Sequence, residues 1–137
     1  MVNGVKQNIS GGQLIKLERL WKAKDKVIVN FEMPLQILKG GLSYPGFIAF
    51  KRGTQVLAMD SIFNPGYLNT MPLIVDKNTR FSIINATNVI SKGWIGRQAY
   101  TLTIGTDKKQ KPIVLVPFAD AGQQETRQQV WILTHEN

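Results

Sequence analysis

The chain has 137 residues, of which 43% are hydrophobic and 19% charged, the balance of one globular domain with a real core. It contains no cysteine, which excludes a disulfide framework, a cysteine nucleophile and a cysteine metal site. No segment approaches the roughly 18 apolar residues of a membrane-spanning helix, and the formal net charge of +8 is scattered over Lys16, Arg19, Lys22, Lys24, Lys26, Lys51, Arg52, Lys108, Lys109 and Lys111 rather than gathered into one basic stretch. Scattered charge of this kind is read as solvated loops, so neither nucleic acid nor a membrane span is expected.

Met1 to Lys6 lacks the apolar run of a signal peptide. A leader further upstream would make the parent protein periplasmic or secreted; without one it is cytoplasmic. Asn3-Gly4 is a turn dipeptide, so the chain opens at a turn, as an excised piece of a larger protein would.

From there the dominant signal is period-two alternation. Gln13 to Leu20 is predicted as a strand, and Trp21 to Asp25 turns the chain. Val27 to Met33 is the cleanest strand, with Val27, Val29, Phe31 and Met33 facing the core and Asn30 and Glu32 facing away until Pro34 ends it. Leu35 to Lys39 is a short, weak helix candidate before Gly40-Gly41. Phe47 to Phe50 and Gln55 to Met59 form a hairpin around Lys51-Arg52-Gly53-Thr54, with Gly53 supplying positive φ. Asn64-Pro65-Gly66 is a turn. Strands follow at Leu73 to Val75, at Arg80 to Ala86 with Phe81 and Ile83 opposed to Ser82 and Ile84, and at Ala99 to Ile104. The Gly105 to Gln110 turn leads to Ile113 to Phe118. Ala119 to Gln123 is a second weak helix candidate, and Gln128 to Thr134 closes the chain as one strand. The predicted fold is all-β, an antiparallel, jelly-roll-like β-sandwich of about eight or nine short strands in a single domain over residues 1–137.

The chemistry-bearing residues are sparse. Glycosidic cleavage needs two carboxylates facing each other at roughly 5–9.5 Å. Asp60, Asp76, Asp107 and Asp120 fall instead at strand ends or turns, where aspartate serves the backbone. The one histidine, His135, is third from the end of the sequence and is expected to be exposed or frayed, whereas a hydrolytic triad needs a histidine held by a carboxylate. No catalytic residue, metal site or cofactor is expected. Sugars are recognised by aromatic faces with polar groups alongside. Trp131, between Val130 and Ile132, is expected in the core; Trp21 covers an edge of it; Tyr67 packs in a loop. That leaves Trp94 and Arg97, in the irregular Lys92-Gly93-Trp94-Ile95-Gly96-Arg97 stretch, and Tyr44, beside Pro45, as candidate carbohydrate contacts.

These residues also carry a resemblance. Arg19-Leu20-Trp21-Lys22-Ala23-Lys24-Asp25-Lys26-Val27 followed by Phe31-Glu32-Met33-Pro34 resembles the Arg-x-Trp-x-x-Gly-Asp-x-Val … Met-Pro stretch of glycoside hydrolase family 127, the β-L-arabinofuranosidase-like proteins. Val2-Asn3-Gly4 is similar to the turn that precedes that stretch. Phe47 to Leu57 is similar to the family's Ala-x-x-Arg-Gly-Pro-x-Val segment, and Leu115 to Gly122 with Arg127 to Trp131 to its closing strands. Lys24 stands where the family has glycine and Thr54 where it has proline; residues 61–112 match no family segment.

The resemblance implies a region after a catalytic (α/α)6 barrel, with residues 1–60 similar to middle-domain strands and 61–137 to C-terminal strands. It implies a non-catalytic accessory domain whose partner is the barrel of its own polypeptide, with plant-type or bacterial glycans as further candidate partners. An apolar docking face would then drive self-association of the isolated chain. The alternatives are an independent carbohydrate-binding module and, from the charge, a nucleic-acid-binding β-barrel.

Overall fold

A computed structural model describes residues 1–12, 14–67, 72–90, 93–105 and 110–136. The chain divides into two compact units, Met1–Glu32 and Met33–Asn137.

The first unit is built on turns. Val2 bridges Val5 across Asn3-Gly4, whose φ angles of 48° and 82° are those of a tight type I′-like turn, as the dipeptide predicts. Val2 also bridges Val27, and Asn3 ties down Asp25 and Lys26: its N–H donates to the Lys26 carbonyl, its Oδ1 accepts the Lys26 N–H at 2.8 Å, and its Nδ2 donates to Asp25 Oδ1 at 2.8 Å.

Two expectations fail in this segment. No strand forms over residues 14–20 (Gln13 lies outside the described residues), and none forms over Val27 to Met33. Val29 is 60% and Phe31 81% exposed rather than buried, although Asn30 and Glu32 are exposed as expected. Alternation specifies a face, but a strand also needs a hydrogen-bonding partner along its length. Among the described residues of this unit the ladder contacts are single bridges. Trp21 is likewise half-exposed, with the Arg19 guanidinium 5.1 Å from its ring centre.

Among the described residues the second unit holds nine strands: β1 (Leu35–Lys39), β2 (Phe47–Arg52), β3 (Gln55–Asp60), β4 (Leu73–Val75), β5 (Arg80–Asn85), β6 (Tyr100–Gly105), β7 (Ile113–Pro117), β8 (Gln128–Gln129) and β9 (Ile132–Glu136). Among the described residues, helical structure is confined to 3₁₀ turns at Thr87–Val89 and Phe118–Asp120. The sheet runs β4-β9-β2-β3-β7-β6-β5, with β1 added to β2 and β8 to β3. All pairs are antiparallel except β4–β9, which is parallel. The class is all-β and sandwich-like, as expected.

The sheet folds over on itself. Phe50 of β2 meets Phe81 of β5 with ring centres 5.2 Å apart, although β3, β7 and β6 lie between their strands in the sheet. Phe50, Leu57, Met59, Leu73, Leu102, Ile113, Leu115 and Ile132 fill the enclosed space. Each such side chain contributes about 1.5–3 kcal/mol by leaving water.

The β2–β3 hairpin turns at Gly53, whose φ is +56° and whose absent Cβ would lie 3.0 Å from Met33 carbons. Away from this turn the two strands separate and the C-terminal segment enters between them. Gln128 and Gln129 pair with Asp60 and Met59 of β3; Ile132 and Leu133 then pair with Ile48 and Phe47 of β2. The crossing occurs at Val130 and Trp131, which is why the single strand expected over Gln128 to Thr134 is two, and why Trp131 is not in the core. Leu35 to Lys39, expected as a weak helix, is strand β1, because β2 offers it a complete edge from Ile48 to Arg52. Ala119 to Gln123 forms no helix; only the 3₁₀ turn at Phe118–Asp120 enters it.

β7 is buried on both faces: Ile113 and Leu115 point to the main core, while Val114 and Val116 pack on a second cluster with Trp94, Ala99, Ile62 and Phe63. An uninterrupted apolar run is the expected signature of such a strand. The loops covering that second face are tied down by Asp60, which is completely buried. Its carboxylate accepts from the Ile62 N–H at 3.0 Å, the Gly122 N–H at 2.8 Å and the Thr126 hydroxyl at 2.9 Å. Asn64 acts as a one-residue strand, donating to the Val114 carbonyl and accepting the Val114 N–H, both at 2.8 Å.

Candidate functional site

The loops laid over this second face form a groove of about 660 Å3. Its walls are the β2–β3 turn and the start of β3 (Thr54 to Val56), the irregular segment Ile95 to Gln98, and the end of β7 with its 3₁₀ turn (Pro117 to Asp120). The Ile95 N–H donates to Gln123 Oε1 at 2.8 Å, which fixes the middle wall.

One side is held by a polar relay. Gln55 Nε2 donates to Gln98 Oε1 at 2.7 Å, and the Tyr100 hydroxyl lies 3.2 Å from Gln55 Oε1 and 3.1 Å from Gln98 Oε1. Behind it, Arg52 donates to the Tyr100 oxygen at 3.4 Å and lies over its ring, 5.0 Å from the centre. With its oxygen engaged twice, the Gln98 amide is oriented and its Nε2 is left without a partner among the described residues.

Gly96 is buried at the groove's floor. A Cβ there would sit 2.5 Å from Trp94 Nε1 and 2.9 Å from Asp120 Oδ2, so only glycine lets these groups share the position. The Trp94 Nε1 is buried with no hydrogen-bond partner, an expensive state for an N–H. Arg97 and Asp120 line the groove with neither in an ion pair among the described residues. Half-exposed Phe118 and exposed Ile95 supply apolar surface.

The residues singled out in the sequence thus separate. Arg97 lines the groove. Trp94 lies under it, 7% exposed and edge-on to Phe63 with ring centres 4.8 Å apart, so it presents no open ring face. Tyr44 sits in the β1–β2 connection and stacks on Trp131, with ring centres 5.2 Å apart and planes 8° from parallel. Asp120, Gln55, Gln98 and Phe118 escaped the sequence reading. Asp120 sits at a strand end, where turn duty is the expectation, and the two glutamines have no local signature; Gly96 between a tryptophan and an arginine is the one sequence hint.

His135 is exposed in β9. Asp76 does serve its turn, accepting the Asn78 N–H at 2.7 Å; Asp107 lies outside the described residues. Tyr67 packs against the core, and burial pushes its hydroxyl above the ordinary 10.0. Among the described residues, no three His, Cys, Asp or Glu side chains gather as metal ligands, and no helix is long and apolar enough to cross a membrane.

No family model matches the chain, and no curated protein does. Among solved structures it is similar to a GH127 β-L-arabinofuranosidase from Geobacillus stearothermophilus T6, with a TM-score of 0.56 and 20% sequence identity over 100% of this chain and 24% of that one. The likeness establishes a family 127-like fold, and this chain spans about a quarter of that protein's length.

Proposed function

We propose that the chain is a non-catalytic accessory β-domain of a β-L-arabinofuranosidase-like glycoside hydrolase, packing against and supporting a catalytic (α/α)6 barrel in the same polypeptide. The observation that carries this reading is the whole-chain likeness to a quarter of a family 127 enzyme. The ordered sequence motifs from Val2 to Trp131 support it independently. In this reading residues 1–60 correspond to middle-domain strands and 61–137 to C-terminal strands, and the glycans belong to the parent enzyme. The state of the acidic groups agrees with a structural role, since Asp60 and Asp76 are engaged by backbone N–H groups.

The test compares the parent polypeptide with and without this segment, and with the segment alone, on an aryl β-L-arabinofuranoside. The expected result is activity in the parent, loss of soluble active enzyme on deletion, and none in the segment. Turnover by the segment alone, or a deletion that leaves the parent's activity and stability unchanged, overturns the reading.

A further inference from the structure

We propose that the groove floored by Gly96 is a saccharide subsite, binding a neutral mono- or disaccharide through Arg97, Asp120, Gln98 and Phe118. The choice of a sugar rests on the carbohydrate reading above; the existence of the site rests on geometry.

Three features argue for a ligand. The groove's volume of about 660 Å3 lies inside the range of roughly 300–1,000 Å3 usual for small-molecule sites. Its polar groups are available: the Arg97 guanidinium, the Asp120 carboxylate and the Gln98 Nε2 have no partner of their own in the described chain, while Tyr100 and Gln55 hold Gln98 in place. Beneath the floor, the buried Trp94 Nε1 is also unpartnered and lies against Gly96 and the Asp120 side. An unsatisfied buried donor beside an open carboxylate is a costly arrangement that a purely structural loop would not need.

The mixture identifies the ligand class. A cation and an anion in the same groove do not select a charged ligand of either sign. Donors and acceptors together suit hydroxyl groups, which do both. Phe118 and Ile95 provide apolar surface for the C–H face of a sugar ring. The Tyr44–Trp131 pair is the competing platform, but its two rings are stacked on each other, which uses one face of each.

The experiment is an amide NMR titration of the chain with arabinobiose, and with glycerol as the polyol control. The expected result is binding near about 1 mM, with shifts centred on Gly96, Arg97, Gln98 and Asp120, and no comparable shifts with glycerol. Arg97→Gln and Asp120→Asn, both on the groove surface, should each weaken binding roughly tenfold with unchanged melting temperature; Tyr44→Ala should leave affinity unchanged. No localised shifts at about 20 mM sugar, equal shifts with glycerol, or binding that survives both groove variants and is lost in Tyr44→Ala overturns the proposal. Because the titration uses the segment alone, sugar binding can fail while the deletion test succeeds, or the reverse, so the two readings fall separately.

Discussion

Asp60 has no exposed surface and faces no cation among the described residues, yet it holds three donors from two different loops. Both carboxylate oxygens are acceptors here, so asparagine would aim an NH₂ at a donor. Asp60→Ala and Asp60→Asn should each cost on the order of 3 kcal/mol in a urea melt; a loss below about 1 kcal/mol would mean the loops are held by other contacts. Lys24 presents the opposite case. Its φ of +73° is strained for a lysine, and it stands where the family 127 pattern has glycine. Relief of that strain, offset in part by the greater freedom of unfolded glycine, makes Lys24→Gly stabilising by about 0.5 kcal/mol. Slower hydrogen exchange at Asp25 and Lys26 would register it. At this scale the sequence was informative about turns, because Asn3-Gly4 and Gly53 need only local geometry. Asp60 was legible only as a strand-end aspartate serving the backbone, as it does for the Ile62 N–H; its other two partners are 62 and 66 residues away and left no sequence signal.

At the scale of elements, legibility followed the availability of a partner. Strands β2 through β7 were readable because their alternating or continuous apolar patterns coincide with complete ladders. Leu35 to Lys39 has no clean alternation, and its strand state comes from the edge of β2. Val27 to Met33 has the cleanest alternation in the chain and forms no strand. The candidate site was legible only at Arg97, since the groove is assembled from three segments that the sheet brings together. Asn64 shows how such assembly is held: its side chain closes both backbone bonds of Val114 on β7. Asn64→Ala orphans both groups and should cost about 2–3 kcal/mol, with faster exchange at the Val114 amide. Unchanged exchange there would show that another group takes over the pairing.

Over the whole molecule, the two units differ in what holds them. The second encloses an apolar cluster that contains no carboxylate. The first, Met1–Glu32, leaves Leu14 at 96% and Leu20 at 90% exposure and depends on a small polar knot around Asp25. Asp25 accepts the Lys22 N–H at 3.0 Å and the Asn3 amide, and pairs with Arg19 at 3.2 Å. The Lys22 N–H first, then the Asn3 amide, hold its carboxyl below the ordinary 3.8; desolvation opposes them, and Arg19 adds the least of the four effects. A carboxylate whose folded pKa is depressed contributes stability that is present above its unfolded value and is lost as pH falls through the folded one. The turn from Lys22 to Lys26 should therefore be intact at neutral pH and through the range just above 3.8, then loosen as acid protonates Asp25. An NMR titration following the Asp25 carboxyl carbon together with the Lys22 and Lys26 amides would show one shared midpoint below 3.8, and Asp25→Asn would abolish the pH dependence of those amides. A midpoint at or above 3.8, or a Lys22 amide that ignores the titration, would mean that Asp25 does not hold the first unit's second turn.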